Sequence, residues 1–307
     1  MAASYLEAYR SGRLAESIRR GLLWMRSCTL CPRMCRVNRM EGETGYCRTE
    51  RLAVVDSYGQ HYGEEAPLVG SGGSGTIFVT HCNLYCIFCQ NFDVSHGGSG
   101  RPVGAEELAR VMIDLQDQGC HNINFVTPGH VIPQILEALT IAIGLGLEIP
   151  LVYNSNGYDR VAALRLLDGI VDIYMPDFKF WSPEAAERLC DARDYPERAR
   201  AALREMHRQV GDLRVENGVA VRGLLVRHLV MPEGLAGSAD IFRFVARELS
   251  PDVYVNVMAQ YHPCGEAIGR RDVGRRITPE EYQEALRAAR EAGLRRLDRA
   301  WPRFPAL

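Results

Sequence analysis

The sequence predicts an α/β fold: a partial parallel barrel of six β/α units, (β/α)6, carrying a small N-terminal Cys-rich appendage. Three observations predict it. Six short apolar runs alternate with longer amphipathic stretches between residues 76 and 292, the pattern of parallel strands joined by right-handed crossovers. The runs are apolar almost throughout, as strands buried on both faces are. Ahead of them, four cysteines crowd into residues 28–47. Six units fall short of the eight that close a TIM barrel, so the barrel is expected to be open.

The elements follow in order. Residues 4–26 read as one helix, with Leu6, Leu14, Ile18, Leu22 and Leu23 at helical spacing. After the cysteine-rich segment, LAVVDSY (52–58) is a short strand and GSGGSG (70–75) a flexible lead-in. The six barrel strands are TIFVT (76–80), NINFVT (122–127), IPLVYN (149–154), VDIYMP (171–176), VRGLLVRHLVMP (221–232) and VYVNVMA (253–259). Helices are expected over 105–118, 131–143, 159–168, 183–209 with a break near Pro196, and 238–249. A last helix over 279–292 has the clearest start: Thr278 caps, Pro279 takes the first helical position and Glu281 completes a capping box. The expected division is 1–69 for the N-terminal helix and Cys-rich segment and 70–307 for the barrel with its C-terminal helix.

Composition narrows the function. The chain has 307 residues and a formal net charge of −2, with no long basic run, so nucleic acid is not an expected partner. No apolar run reaches the ~20 residues of a membrane span and no signal peptide is visible. The expected location is cytoplasmic, where ten cysteines point to metal more than to disulfides. Of 36 basic residues, 35 are arginine; Lys179 is the only lysine. A chain that keeps a single compact ammonium among so many planar guanidinium groups singles out that position for function.

Chemistry concentrates where the strands end, the edge at which parallel sheets hold their ligands. THCNLYCIFCQN follows the first barrel strand and sets Cys82, Cys86 and Cys89 at C-x3-C-x2-C. Thiolates are the usual ligands of iron–sulfur clusters and a cubane takes four. Three leave one iron open, the mark of a reactive rather than a structural site. Zinc, with His81 as a further donor, is the alternative.

This spacing after the first strand of a partial barrel resembles the radical S-adenosylmethionine (SAM) superfamily. Four segments, CPRMC…GETGYC, GSGTIFVTHCNLYCIFCQN, NINFVTPGHVIPQIL and DIYMPDFKF, together resemble an uncharacterised branch related to pyruvate formate-lyase activating enzyme. The resemblance implies a barrel of the radical SAM type and a [4Fe–4S] cluster on Cys82, Cys86 and Cys89. It further implies SAM on the open iron, reductive cleavage to a 5′-deoxyadenosyl radical, and a reducing electron donor such as flavodoxin or ferredoxin. Phe88 matches the aromatic position that packs near adenine. Thr127, Pro128 and Gly129 stand where the family has a Gly-Gly-Glu-type motif, and they depart from it. Asn154 and Asn156 resemble a Thr-Asn-Gly segment, and Asp177 with Lys179 an Asp-x-Lys pair that would address the ammonium or ribose and the carboxylate of SAM. Arg227 and His262 match positions that face SAM or substrate. Arg227 and His228 are adjacent in a strand, so one should face inward and the other outward.

Cys28, Cys31, Cys35 and Cys47 form C-x2-C-x3-C-x11-C. Four thiols close a site completely, and both a second [4Fe–4S] cluster and zinc fit. Cys120 and Cys190 read as small buried apolar residues, and Cys264 as isolated. For substrate, the resemblance to an activase implies hydrogen abstraction from a glycine of a glycyl-radical protein. A small molecule or peptide is the alternative substrate, and a zinc or electron-transfer module without radical chemistry a third reading.

Overall fold

Short β-branched runs bounded by turn residues cannot bury themselves alone, and they pair. The computed structural model describes residues 2–298; the expected outer limits, residues 1 and 307, lie outside these. One ten-stranded sheet comprises β1 (Ala53–His61), β2 (Ser74–Val79), β3 (Arg101–Val103), β4 (Ile123–Val126), β5 (Leu151–Ser155), β6 (Ile173–Pro176), β7 (Arg214–Glu216), β8 (Val219–Leu229), β9 (Tyr254–Met258) and β10 (Arg296–Leu297). β2, β4, β5, β6, β8 and β9 lie side by side in chain order and all run parallel. These are the six expected units. The path runs from β10 to β3 without closing, so the barrel is partial.

The sheet is wider than the sequence predicts. β1 joins β2 antiparallel, with a register shift between Val55 and Ser57, and β3 joins β1. β7 forms a hairpin with β8, and β10 lies parallel to β9. β3, β7 and β10 are two or three residues long, too short for any alternation to register. Because β1 is hydrogen-bonded to β2, the sheet runs through the segment around residue 70.

The helices are α1 (Ser4–Arg10), α2 (Arg13–Met25), α3 (Ala66–Val69), α4 (Ala105–Asp117), α5 (Ile132–Gly144), α6 (Val161–Leu164), α7 (Pro183–Cys190), α8 (Tyr195–Val210), α9 (Ser238–Phe244) and α10 (Pro279–Glu291). The helix expected over 4–26 is two, because Gly12 adopts φ +78 and reverses the chain's hand. The expected break in 183–209 falls at Asp191, also left-handed, and Pro196 sits in the first turn of α8, where its missing N–H costs nothing. The helix expected over 159–168 shrinks to one turn plus a 3-10 turn, and that over 238–249 ends in a π-turn. α1 seals the end of the barrel opposite the strand C-termini. Tyr5, fully buried, donates to Ile149 O, and Ser4 N donates to the Asp172 carboxylate, which also accepts from Leu151 N.

Candidate functional site

β2 delivers the cysteine loop. It ends at Val79, and the chain then bends sharply, with His81 at φ +70 and Tyr85 at φ +50. These left-handed turns wrap backbone around sulfur: Leu84 N donates to Cys82 Sγ at 3.3 Å. Cys82 and Cys86 are buried and Cys89 half-buried. Burial, with Cys86 nearby, pushes the Cys82 thiol up to about 11. Phe88 is buried and packs against Phe180 and Tyr261.

The ends of β5, β6 and β8 supply the polar groups. Asp177 forms a bridge to Arg227 just beyond β6. Lys179 Nζ donates to Asp177 Oδ2 at 2.6 Å, Arg227 Nε to Asp177 Oδ1 at 2.9 Å, and Arg227 Nη2 to Asn154 Oδ1 at 2.6 Å. The side chains of Asp177 and Lys179 are only 13% and 15% exposed, so this is no surface ion pair of negligible worth. Burial alone would raise Asp177, but Arg227 and Lys179 hold it below the usual carboxylate range. Lys179 stays above its ordinary value, because Asp177 and the Cys86 thiol outweigh the burial that would lower it. His228 points the other way, between Phe178 O and Ser238 Oγ, and burial lowers it to about 4. The expected alternation of Arg227 and His228 is met.

The loops carrying these groups are zipped together. Tyr195 Oη receives Lys179 N at 2.9 Å and reaches Asn156 O at 3.0 Å. Gly157, at φ +79, lies so close to Asp177 O that an added Cβ would sit 2.2 Å from it, so only glycine fits. Asn156 Nδ2 then reaches Asn83 Oδ1 at 2.7 Å and Cys82 Sγ at 3.3 Å. One cavity is lined by Cys82, Cys86, Cys89, Phe88, Thr127, Asn154, Asn156, Asp177, Lys179 and Arg227.

Three expected site residues lie outside that cavity. Pro128 and Gly129 form a buried 3-10 turn, and a Cβ on Gly129 would meet Asp159 Oδ1 at 2.8 Å, so the glycine answers to packing. His262 sits 3.1 Å from Gln260 O. Its neighbour Tyr261 takes the inward position against Phe88. Sequence reasoning missed His61 and Glu64, which reach the cavity from the end of β1. Glu64 lies 3.4 Å from His61 Nδ1 and 3.5 Å from Arg227 Nη1. It also missed Cys190, whose thiol is 3.2 Å from Cys86 Sγ. Nothing local in the sequence distinguishes these residues.

Residues 76–228 match the Radical SAM superfamily. An uncharacterized protein of Methanocaldococcus jannaschii is 36% identical over 277 residues, which cover 88% of this chain and 76% of that protein. The chain belongs to the radical SAM superfamily. The solved structure of a radical SAM methyltransferase from Sphaerobacter thermophilus shares the radical SAM fold, with a TM-score of 0.50 and 17% identity over 74% of this chain and 67% of that one. Radical SAM membership brings a [4Fe–4S] cluster, SAM and a reductant, and SAM-dependent radical chemistry as the reaction class. The donor set fits both groups. The three thiols share the cavity with a carboxylate, an ammonium and a guanidinium, the charges an amino-acid zwitterion would need.

The front cysteines line a second cavity, Cys28, Cys31, Cys35 and Cys47 together, with His130 of the 128–130 turn beside them. Tyr46 N donates to Cys35 Sγ at 3.3 Å. Among the described residues no helix is long and apolar enough to cross a membrane.

Proposed function

We propose that Cys82, Cys86 and Cys89 hold the [4Fe–4S] cluster of this radical SAM enzyme, and that Asp177, Lys179 and Arg227 seat SAM beside it for hydrogen abstraction from a glycine of a partner protein. The observation that carries this is the half-buried, ion-paired Asp177–Lys179–Arg227 group on the same cavity as the three thiols. When bound, the cluster supplies one electron that cleaves SAM to methionine and a 5′-deoxyadenosyl radical.

The protein's part is placement. Asp177, kept ionised, offers acceptor oxygens to an ammonium or ribose, while Lys179 and Arg227 offer donors to a carboxylate. Before ligand arrives the three satisfy one another, so the seat is pre-formed. Phe88 supplies an apolar wall for the adenine, and Asn156 donates toward Cys82. Asn154 holds Arg227 in place and Thr127 lines the cavity. The glycyl-radical target is supported by the Asp-x-Lys pair at the end of β6, which resembles that of the activases. A small molecule or peptide is the second reading, supported by the charged wall that His61 and Glu64 add from outside the six strands. Flavodoxin or ferredoxin is the proposed donor, the cytoplasm the proposed setting, and a metal centre the proposed occupant of Cys28, Cys31, Cys35 and Cys47.

Anaerobically reconstituted protein, reduced with dithionite, is expected to convert SAM to 5′-deoxyadenosine, read by chromatography. Lys179→Ala is expected to weaken SAM binding about 10- to 100-fold, the worth of one charged hydrogen bond, with iron content unchanged. An intact cluster that yields no 5′-deoxyadenosine would overturn the assignment. A glycyl-radical doublet in the electron paramagnetic resonance (EPR) spectrum of a partner protein separates the first substrate reading from the second.

A further inference from the structure

We infer that Cys28, Cys31, Cys35 and Cys47 hold a second [4Fe–4S] cluster, ligated entirely by protein and set beside the first so that the two exchange electrons. This rests on the reading of the front cysteines as a metal centre and adds its identity and role.

The four thiols face one another across a cavity walled by Leu30, Met34 and Val37. The backbone around them is bent to do this: Met34, Arg36 and Arg48, none of them glycine, adopt φ +44, +60 and +52. The first cysteine loop has the same feature at His81 and Tyr85. Such left-handed residues are costly and persist where the surroundings over-determine them. Gly45 packs so tightly on Cys35 that a Cβ would lie 2.7 Å from its sulfur.

Charge points to an anionic occupant. Arg39 is 1% exposed, and its guanidinium bonds run to backbone carbonyls and a thiol. Its guanidinium donates to Glu50 O and His130 O and lies 4.0 Å from Cys28 Sγ. A buried cation is expensive unless a negative charge faces it, and a thiolate-ligated centre supplies one.

Position favours a cluster over zinc. The segment carrying the four thiols abuts the cysteine loop after β2, where the first cluster is proposed: Arg33 donates to Asn83 O and Thr49 lies against His81. A redox centre at that place can exchange electrons with the first cluster, which zinc, having no redox chemistry, cannot.

Three bridges join the two sites. The Thr49 hydroxyl donates to Cys47 O and lies 3.3 Å from Nδ1 of His81, the neighbour of Cys82. Arg39 reaches His130 O, and His130 Nε2 is 3.0 Å from Thr80 O. Arg33 Nε donates to Asn83 O at 3.0 Å. With no open corner, a front cluster takes one electron from the external reductant and passes one to its neighbour, with no bond made or broken.

Iron, sulfide and zinc analysis of the anaerobically reconstituted full chain, with native mass spectrometry, tests this. About eight irons per chain are expected, and about four in both a Cys28→Ala/Cys31→Ala variant and a Cys82→Ala/Cys86→Ala/Cys89→Ala variant. In EPR, SAM should perturb the signal left in the first variant and not that left in the second. The fully reduced wild-type chain should show spin–spin broadening that both variants lack. One zinc with about four irons would overturn the cluster while leaving a metal centre. About four irons with no zinc would overturn the metal centre as well. Eight irons with no broadening would overturn the electron exchange. The wild-type measurements stand even if a variant fails to fold.

Discussion

At the scale of single residues, the site owes most to groups whose partners lie far along the chain. Lys179 is legible in the sequence because it is the only lysine, and the structure sets it, largely shielded from solvent, against Asp177. Cys190 is not legible. An isolated thiol on an amphipathic helix reads as a small apolar residue, and its partner Cys86 is 104 positions away. Under the proposed assignment, Cys190 donates a hydrogen bond to a cluster ligand, which withdraws charge from the sulfur and eases reduction. Cys190→Ala should therefore make the cluster harder to reduce. A bond worth about 1 kcal/mol corresponds to tens of millivolts for a one-electron couple. EPR-monitored redox titration measures it, and Cys190→Ser, which keeps a donor, should fall nearer wild type. Equal potentials in all three proteins would remove Cys190 from the site.

At the scale of elements, the strongest sequence signals are the local ones. α10 begins where its capping box predicts, with Glu281 N donating to the Thr278 hydroxyl and Thr278 N donating to the Glu281 carboxylate. The elements that failed were decided by backbone handedness or tertiary pairing: Gly12 divides the first helix, and β3 and β10 exist only because a neighbouring strand accepts them. Glu281 also makes a pH prediction. Its hydrogen bond from Arg275 lowers it to about 2, against about 4.3 in an unfolded chain. A carboxylate depressed by folding contributes stability above its unfolded value and loses it as pH falls toward the folded one. Glu281→Ala should therefore cost about 1 kcal/mol, a typical capping loss, at pH 7. That gap should narrow steadily between about pH 4.5 and 2, as denaturant midpoints of the two proteins would record. A gap that widened on acidification would contradict the pairing.

At the scale of the whole molecule, six strands and the cysteine loop after the first of them follow from hydrophobic patterning and spacing. The attachment of the front segment does not. Antiparallel pairing of β1 with β2 carries His61 and Glu64 to the cavity, and no local pattern announces a strand that reverses direction across a glycine-rich lead-in. Arg39 makes the other attachment. Fully buried, it ties the cysteine-bearing segment at Glu50 O to the barrel turn at His130 O. Its planar fork serves both carbonyls at once, which an ammonium cannot do with the same geometry. Removing it strands the buried His130 carbonyl, worth about 1–3 kcal/mol, and also loses the part-buried bonds to Glu50 O and the packing of the side chain. Arg39→Ala should thus destabilise the fold by about 2–5 kcal/mol, and Arg39→Lys should recover only part of this. The loss should be local. Hydrogen exchange should rise across residues 28–50, while the parallel strands from β2 to β9 keep their protection. Equal loosening of the barrel strands would instead mean that the front segment is integral to the barrel and not fastened to it at this point.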